Sequence, residues 1–276
     1  MLTDHSHRQR IHALEAIYPL GQWIAQTCVK IMDQLTVTAA SGMRSRLEAL
    51  DLLANNISNS GTTGYKADRE FYNLYAAAES ETATTLPNVE RNWIDFSQGT
   101  LKETGNPFDV GLAGRGFLSA DSPTGILYTR NGTLRLSAAG VLETADGYPV
   151  RANTPNGRIQ ATPGADAAVL LIQKDGSVLQ GGQVLGRLTL TDWPKPETLE
   201  KQGGTYFRLV DSTLRPVAAT GVEVYQGRLE NSNTGPADAA VRLVGVLRQF
   251  EMLQKAVNLG AEMNRRAVED VARLTG

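Results

Sequence analysis

Two stretches of apolar residues at helical spacing stand at opposite ends of this chain, with a turn-rich middle between them. The first runs Leu35, Ala39, Met43, Leu47, Leu50, Ala54 and Ile57. Steps of three and four place these on one side of a helix, about 40 Å long at ~1.5 Å per residue. Arg44, Arg46, Glu48 and Asp51 lie largely off that side. The second runs Val244, Leu247, Phe250, Leu253, Val257, Gly260, Met263, Ala267, Val271 and Leu274. Gly235-Pro236 with Asp238 starts it well, since proline tolerates a first turn and an acid there suits the helix dipole. Each stripe needs a partner. It packs within its own domain, or it pairs with the other end of the chain and with neighbouring copies. Placement at opposite ends favours the second arrangement, a terminal coiled coil.

Residues 107–220 read as β structure. Asn131-Gly132, Ala139-Gly140, Asp146-Gly147, Asn156-Gly157 and Asp175-Gly176 supply turn chemistry at short spacing. Alternating or apolar segments lie between them, such as Ile126–Arg130, Thr133–Ser137, Val169–Gln173 and Arg187–Thr191. A closed or strongly curved antiparallel domain leaves few free edges. The predicted fold class is therefore α+β, with long N- and C-terminal helices forming a coiled coil around a central all-β, barrel-like domain. Residues 61–106 join the two parts. Phe71, Tyr72, Leu74 and Tyr75 continue a short helix or an extended arm, Ala76–Thr85 reads as a loop, and Trp93, Ile94 and Phe96 suggest one short strand.

Bulk chemistry removes several functions. With 27 basic and 29 acidic residues, nothing favours nucleic acid. The single cysteine, Cys28, excludes an internal disulfide framework. No apolar run reaches the ~18 residues of a membrane helix, and no classical signal peptide precedes Cys28. No histidine follows His12, so the main body cannot build a Ser-His-Asp site. Gly111-Leu112-Ala113-Gly114-Arg115-Gly116 lacks the Lys-Ser/Thr of a phosphate loop and sits in strand-like surroundings. Asp109 with Asp121 could supply a carboxylate pair for glycoside hydrolysis, but no recognisable frame surrounds them, and solvated turn acids account for them better. His5, His7 and His12 lie in a polar tail and read as solvated rather than metal-binding. Catalytic, cofactor and metal residues are all expected to be absent. Residues 1–31, broken by Pro19-Leu20-Gly21, look foreign to the rest, and Met32 is the expected true start; a lineage-specific extension is the alternative.

Between the first stripe and the β region lies Leu50–Lys66, LDLLANNISNSGTTGYK. Asn55, Asn56 and Asn59 read as helix-terminating residues, or as amides that hydrogen-bond a partner helix or a neighbouring subunit. Thr63 and Gly64 turn the backbone into an extended segment. Glu230, Ser232 and Asn233, within Gly227–Asn233, carry the same ambiguity before the second helix.

These words resemble those of the flagellar rod and hook axial proteins, whose N-terminal signature is typically ANNlAN…TTGfK. The resemblance continues through Gly99-Thr100-Leu101, Thr104–Asp109, Gly116-Phe117-Leu118, Tyr128–Gly132, Gly140-Val141-Leu142, Asp146–Val150 and Gly227–Asn233, with Thr234 where valine is usual. Any one is weak, but their order and spacing together are specific. Arg248-Gln249-Phe250-Glu251-Met252 resembles proximal-rod members more than distal-rod ones. The resemblance implies an N-terminal extension (1–31), a rod helix (32–60), a joining region (61–106), a central β domain (107–220) and a C-terminal junction with its rod helix (221–276). It also implies a structural subunit of the basal-body rod, with copies of itself, other rod proteins and the flagellar export apparatus as partners. Asn55, Asn56, Asn59, Thr63, Gly64, Glu230, Ser232 and Asn233 become assembly or junction residues. Localisation would be the periplasmic rod, reached by type III export without signal cleavage. The alternatives are a distal-rod or hook protein, and a cell-wall hydrolase.

Overall fold

A computed structural model describes residues 37–76, 85–162, 170–211 and 214–275. The N-terminal extension with its histidines and Cys28, the stripe's Leu35, and most of the loop Ala76–Thr85 lie outside the described residues. The chain divides into two compact units. One comprises Met1–Asp51, Phe71–Arg91 and Leu243–Gly276; the other comprises Leu52–Glu70 and Asn92–Arg242.

Helix α1 covers 37–58 and helix α2 covers Pro236–Thr275. Within the first unit, the buried line of α1 is Ala39, Gly42, Ser45 and Ala49. This line is rotated from the expected stripe, and Leu47 is half exposed. The reason is close approach. A methyl group built on Gly42 would lie 3.2 Å from Leu253 Cδ1 of α2, and small side chains let two helix axes come near. On α2 the half-buried or buried line includes Leu243, Val246, Phe250, Leu253, Val257 and Gly260. Val244, Leu247 and Met263, placed on the stripe by spacing alone, are exposed.

Strands β1 (Asp68–Ala76) and β2 (Thr85–Ile94) pair with each other. Phe71–Tyr75 is therefore strand rather than helix, and the strand expected at Trp93–Phe96 is longer and ends at Ile94.

In the second unit, β3 (Leu101–Glu103) and β4 (Val110–Ala113) are followed by the hairpin β5 (Phe117–Ser122) and β6 (Gly125–Thr129), then β7 (Leu134–Leu136) and β8 (Leu142–Thr144). Next come β9 (Leu170–Ile172), β10 (Ser177–Gln180), β11 (Gln183–Arg187) and β12 (Leu190–Asp192). β13 (Leu199–Lys201), β14 (Tyr206–Leu209), β15 (Val217–Ala218), β16 (Glu223–Gln226) and β17 (Arg228–Glu230) complete it. Six strands form one antiparallel sheet in the order β13-β14-β6-β5-β12-β15. It curls into a half-barrel rather than closing. The chain returns by pairing β16 with β4 and β17 with β3, both antiparallel. The last strand thereby reaches the end of the joining region.

Two apolar clusters fill this unit. One gathers Val110, Leu112, Leu118, Leu142, Val150 and Val178, all fully buried, with their neighbours. The other is aromatic, with Phe117, Tyr128, Trp193 and Phe207. Phe96 meets Phe117 and Phe207 edge-on at 5.4 and 5.2 Å, the arrangement that ring quadrupoles favour. The turn glycines 140, 147, 157 and 176 adopt φ between 69° and 87°, which tight hairpins demand. Gly132 does not. Its glycine answers a collision, because a Cβ there would lie 1.7 Å from the Val110 carbonyl oxygen.

Candidate functional site

Helix α1 ends by turning its asparagines inward on its own backbone. Asn59 donates from Nδ2 to the Asn55 carbonyl and to Asn55 Oδ1, both at 2.9 Å. Ser60 Oγ donates to the Ile57 carbonyl at 2.8 Å. These bonds use carbonyls that a helix C-terminus leaves without partners. Gly64 then reverses the chain at φ 70°, with the backbone of Asn131 so close that a Cβ would lie 2.3 Å from its nitrogen. Thr63 Oγ1 donates to Asn131 Oδ1 at 3.0 Å.

The extended segment after Gly64 is held from two sides. Asn56, buried, donates from Nδ2 to the Asp68 carbonyl at 2.8 Å and accepts the Asp68 amide at Oδ1 at 3.0 Å. Its side chain acts as a strand neighbour would. Asn233 bridges two segments at the preceding residue: Oδ1 accepts the Ala67 amide at 2.8 Å, and Nδ2 donates to the Asp95 carbonyl at 2.6 Å. Tyr65 shares its hydroxyl proton between Asn55 Oδ1 and Asn56 Oδ1, each 3.0 Å away. Ser232 stays apart; among the described residues its hydroxyl accepts only the nearby Thr234 amide, at 3.3 Å.

At the centre lies an ion cluster. Glu230 Oε1 accepts from Lys66 Nζ at 2.6 Å and from the Gly99 amide at 2.9 Å. Its Oε2 accepts from Arg130 Nη1 at 3.2 Å, and its backbone carbonyl accepts the Gly64 amide at 2.7 Å. The Lys66 and Glu230 side chains have no exposed surface, and Arg130 keeps 3%. Lys66 also donates to the Ser97 carbonyl at 2.7 Å, and Arg130 Nη2 to the Gly114 carbonyl at 2.7 Å. The Arg130 guanidinium lies over the Phe117 ring, while its Nε has no hydrogen-bond partner among the described residues. Burial holds the Lys66 ammonium below its usual pKa; Glu230 opposes that shift, and the second cation, Arg130, adds to it.

Glu230, Asn56, Asn59, Asn55, Thr63, Gly64 and Asn233 thus share one junction. Lys66, Arg130, Asn131 and Tyr65 complete it without having been singled out in the sequence. A signal for two of them was present. Lys66 and Arg130 are full charges inside otherwise turn-like words, TTGYK and YTRNG, and Glu230 is the opposite charge inside GRLENSN.

Asp95 closes one edge. Arg69 reaches its Oδ2 at 2.7 Å, and the Ser97 amide reaches Oδ1 at 2.9 Å. Burial works against the carboxylate, but the Ser97 hydrogen bonds and the Arg69 charge outweigh it and hold the pKa below the ordinary 3.8. A depressed folded pKa favours the folded state fully above the unfolded value. That contribution disappears as pH falls through the lower, folded value. Asp95→Asn is therefore expected to flatten the acid limb of stability below about pH 4. Urea denaturation between pH 7 and pH 2 measures this, and an unchanged limb rules out Asp95 as a contributor.

Among the described residues, no three His, Cys, Asp or Glu side chains gather as a metal site, and no helix is long and apolar enough to cross a membrane. The junction's central charged side chains are buried and paired with one another. Its chemistry is that of holding two distant parts of one chain.

Three family profiles match the chain in order. Residues 37–66 match the flagella basal body rod protein family, residues 111–180 the flagellar hook protein FlgE/F/G D1 domain, and residues 225–269 the flagellar basal body rod FlgEFG protein C-terminal family. The flagellar basal-body rod protein FlgF of Caulobacter vibrioides is 30% identical over 251 residues, covering 88% of this chain and all of the relative. FlgF of Mesorhizobium japonicum is 29% identical, covering 80% of this chain and 90% of that protein. FlgG of Buchnera aphidicola is 29% identical, covering 81% and 94%. By these matches the chain belongs to the flagellar basal-body rod protein family.

Proposed function

We propose that this protein is a rod subunit of the proximal, FlgF type, whose copies stack helically through their terminal helices and transmit torque from motor to hook. The observation that carries this is a second apolar line on α2. Val241, Met252, Leu259 and Met263 lie within about 40° of one another at 100° per residue, and each is 46–74% exposed. They lie on a different side of the helix from the half-buried line of Leu243, Phe250 and Leu253. An apolar row left in water along a 40-residue helix is a binding surface rather than a core. In the assembled rod these rows would meet in a coiled-coil-like tube, with the β domains outside it and helix order increasing on assembly. Copies of the chain, other rod proteins and the export apparatus are the partners, and the place of work is the periplasmic rod. The FlgG likeness keeps a distal-rod position as the second reading. Catalysis plays no part, so purified protein should release no peptidoglycan fragments.

The test is the triple change Met252→Glu, Leu259→Glu and Met263→Glu. As exposed positions, these should change the stability of the isolated protein little, by no more than about 0.5 kcal/mol each. Incorporation into basal bodies and swimming should fall more than tenfold. Normal incorporation of the triple variant would remove α2 from the assembly surface.

A further inference from the structure

The buried ion cluster ties together three parts of the chain that are far apart in sequence. Lys66 lies on the segment that leaves α1, Glu230 ends the strand that leads to α2, and Arg130 follows β6 of the half-barrel. Glu230 grips the first segment twice, through its carboxylate to Lys66 and through its backbone carbonyl to the Gly64 amide. A buried ion cluster of this kind is a poor source of net stability, because desolvation offsets the attraction. Its effect is conditional, and the condition is unequal between the partners. If the Gly64–Ala67 segment lifts away with Lys66, Arg130 and Glu230 remain a neutral pair. If the 228–233 segment lifts away with Glu230, two buried cations are left with no anion between them. The second opening therefore forces the first.

We propose that Lys66, Arg130 and Glu230 form a one-way charge latch between the two chain-end connections to the β domain. Release of the C-terminal connection obliges release of the N-terminal one. Force or disorder that frees the C-terminal segment is thus felt by the N-terminal one through a single carboxylate. The neighbouring bonds fit this role. The Ala67 amide is held by Asn233, the Gly99 amide by Glu230 itself, and the Asn231 amide by the Thr100 carbonyl at 2.9 Å. The Gly99 and Asn231 amides consequently report the C-terminal connection, and the Asp95 amide, which donates to the Ala67 carbonyl at 2.9 Å, reports the N-terminal one.

Native-state hydrogen exchange on the full-length protein reads the latch directly. In wild type, Gly99 and Asn231 should exchange only through an opening that also frees Asp95, so Asp95 should exchange at least as fast as they do. The triple variant Lys66→Met, Arg130→Met and Glu230→Met removes every charge of the latch, so the C-terminal connection should open alone. Asn231 should then exchange with a distinctly smaller denaturant dependence than in wild type, because less chain is exposed. Lys66→Met leaves one buried cation behind on C-terminal release rather than two; it should shift Asn231 in the same direction, and it gives the reading should the triple variant fail to fold. The latch is overturned if Asp95 outlasts Asn231 in wild type, or if the denaturant dependence of Asn231 is unchanged in whichever variant is folded.

Discussion

Glu230→Ala is expected to cost about 3–5 kcal/mol, the range for breaking a buried ion pair from one side. The substitution removes the sole anion bonded to Lys66 Nζ and Arg130 Nη1 and leaves both cations buried. It also orphans the Gly99 amide. For a chain of this size each kcal/mol moves the melting midpoint by roughly 2–4 °C, so a fall of about 6–20 °C should be seen by circular dichroism. Typical domain stabilities of about 5–15 kcal/mol put this variant near the limit of folding. Glu230→Gln should be milder, because the amide oxygen still accepts from Gly99 while the charge is lost. A Glu230→Ala midpoint within about 2 °C of wild type would mean that water already reaches the cluster, contrary to the zero exposure of its side chains.

What the sequence could disclose here depended on whether the cause was local. Gly140, Gly147, Gly157 and Gly176 were readable as turns because a hairpin's backbone demand is met by the residue itself. Helices at both ends were readable because apolar spacing is also local. The side of α1 that is buried was not. It is fixed by Leu253, more than two hundred residues away, pressing on Gly42, and a glycine carries no apolar signal to count. Gly132 misled for the same reason, looking like a turn residue while answering the Val110 carbonyl. The asparagines of the junction lay between these cases. Asn55 and Asn59 do act on their own helix end, a local matter. Asn56 and Asn233 act on backbone from a different stretch, and only the fold shows that they straddle the same strand. Lys66, Arg130 and Glu230 were visible as charges but not as partners, since pairing across 164 residues leaves no periodic trace.

The collision at Gly132 yields the second large effect, and it tests the half-barrel rather than the charges. Gly132→Ala places a methyl carbon 1.7 Å from the Val110 oxygen and 2.7 Å from its carbonyl carbon, both backbone atoms that cannot swing aside. Val110 is fully buried and paired with Gln226 on β16. Its own amide also donates to the Gly132 carbonyl at 2.9 Å, so the two backbones are joined as well as close. Relief must come from residues 131–133. Asn131 there accepts from Thr63 and from the Thr133 amide at 3.1 Å, and Arg130 stands next to it. Overpacking usually costs about 1–3 kcal/mol and occasionally more. With backbone on both sides, a loss of about 3 kcal/mol is expected, or roughly 6–12 °C in midpoint. Gly61→Ala is the matched control. It lies in the joining region, with nothing within 4 Å of its added carbon, and should stay within about 0.5 kcal/mol of wild type. If both alanines melt together, the turn after β6 and strand β4 can part without penalty, and a tight backbone contact is not what seats Arg130 beside Glu230.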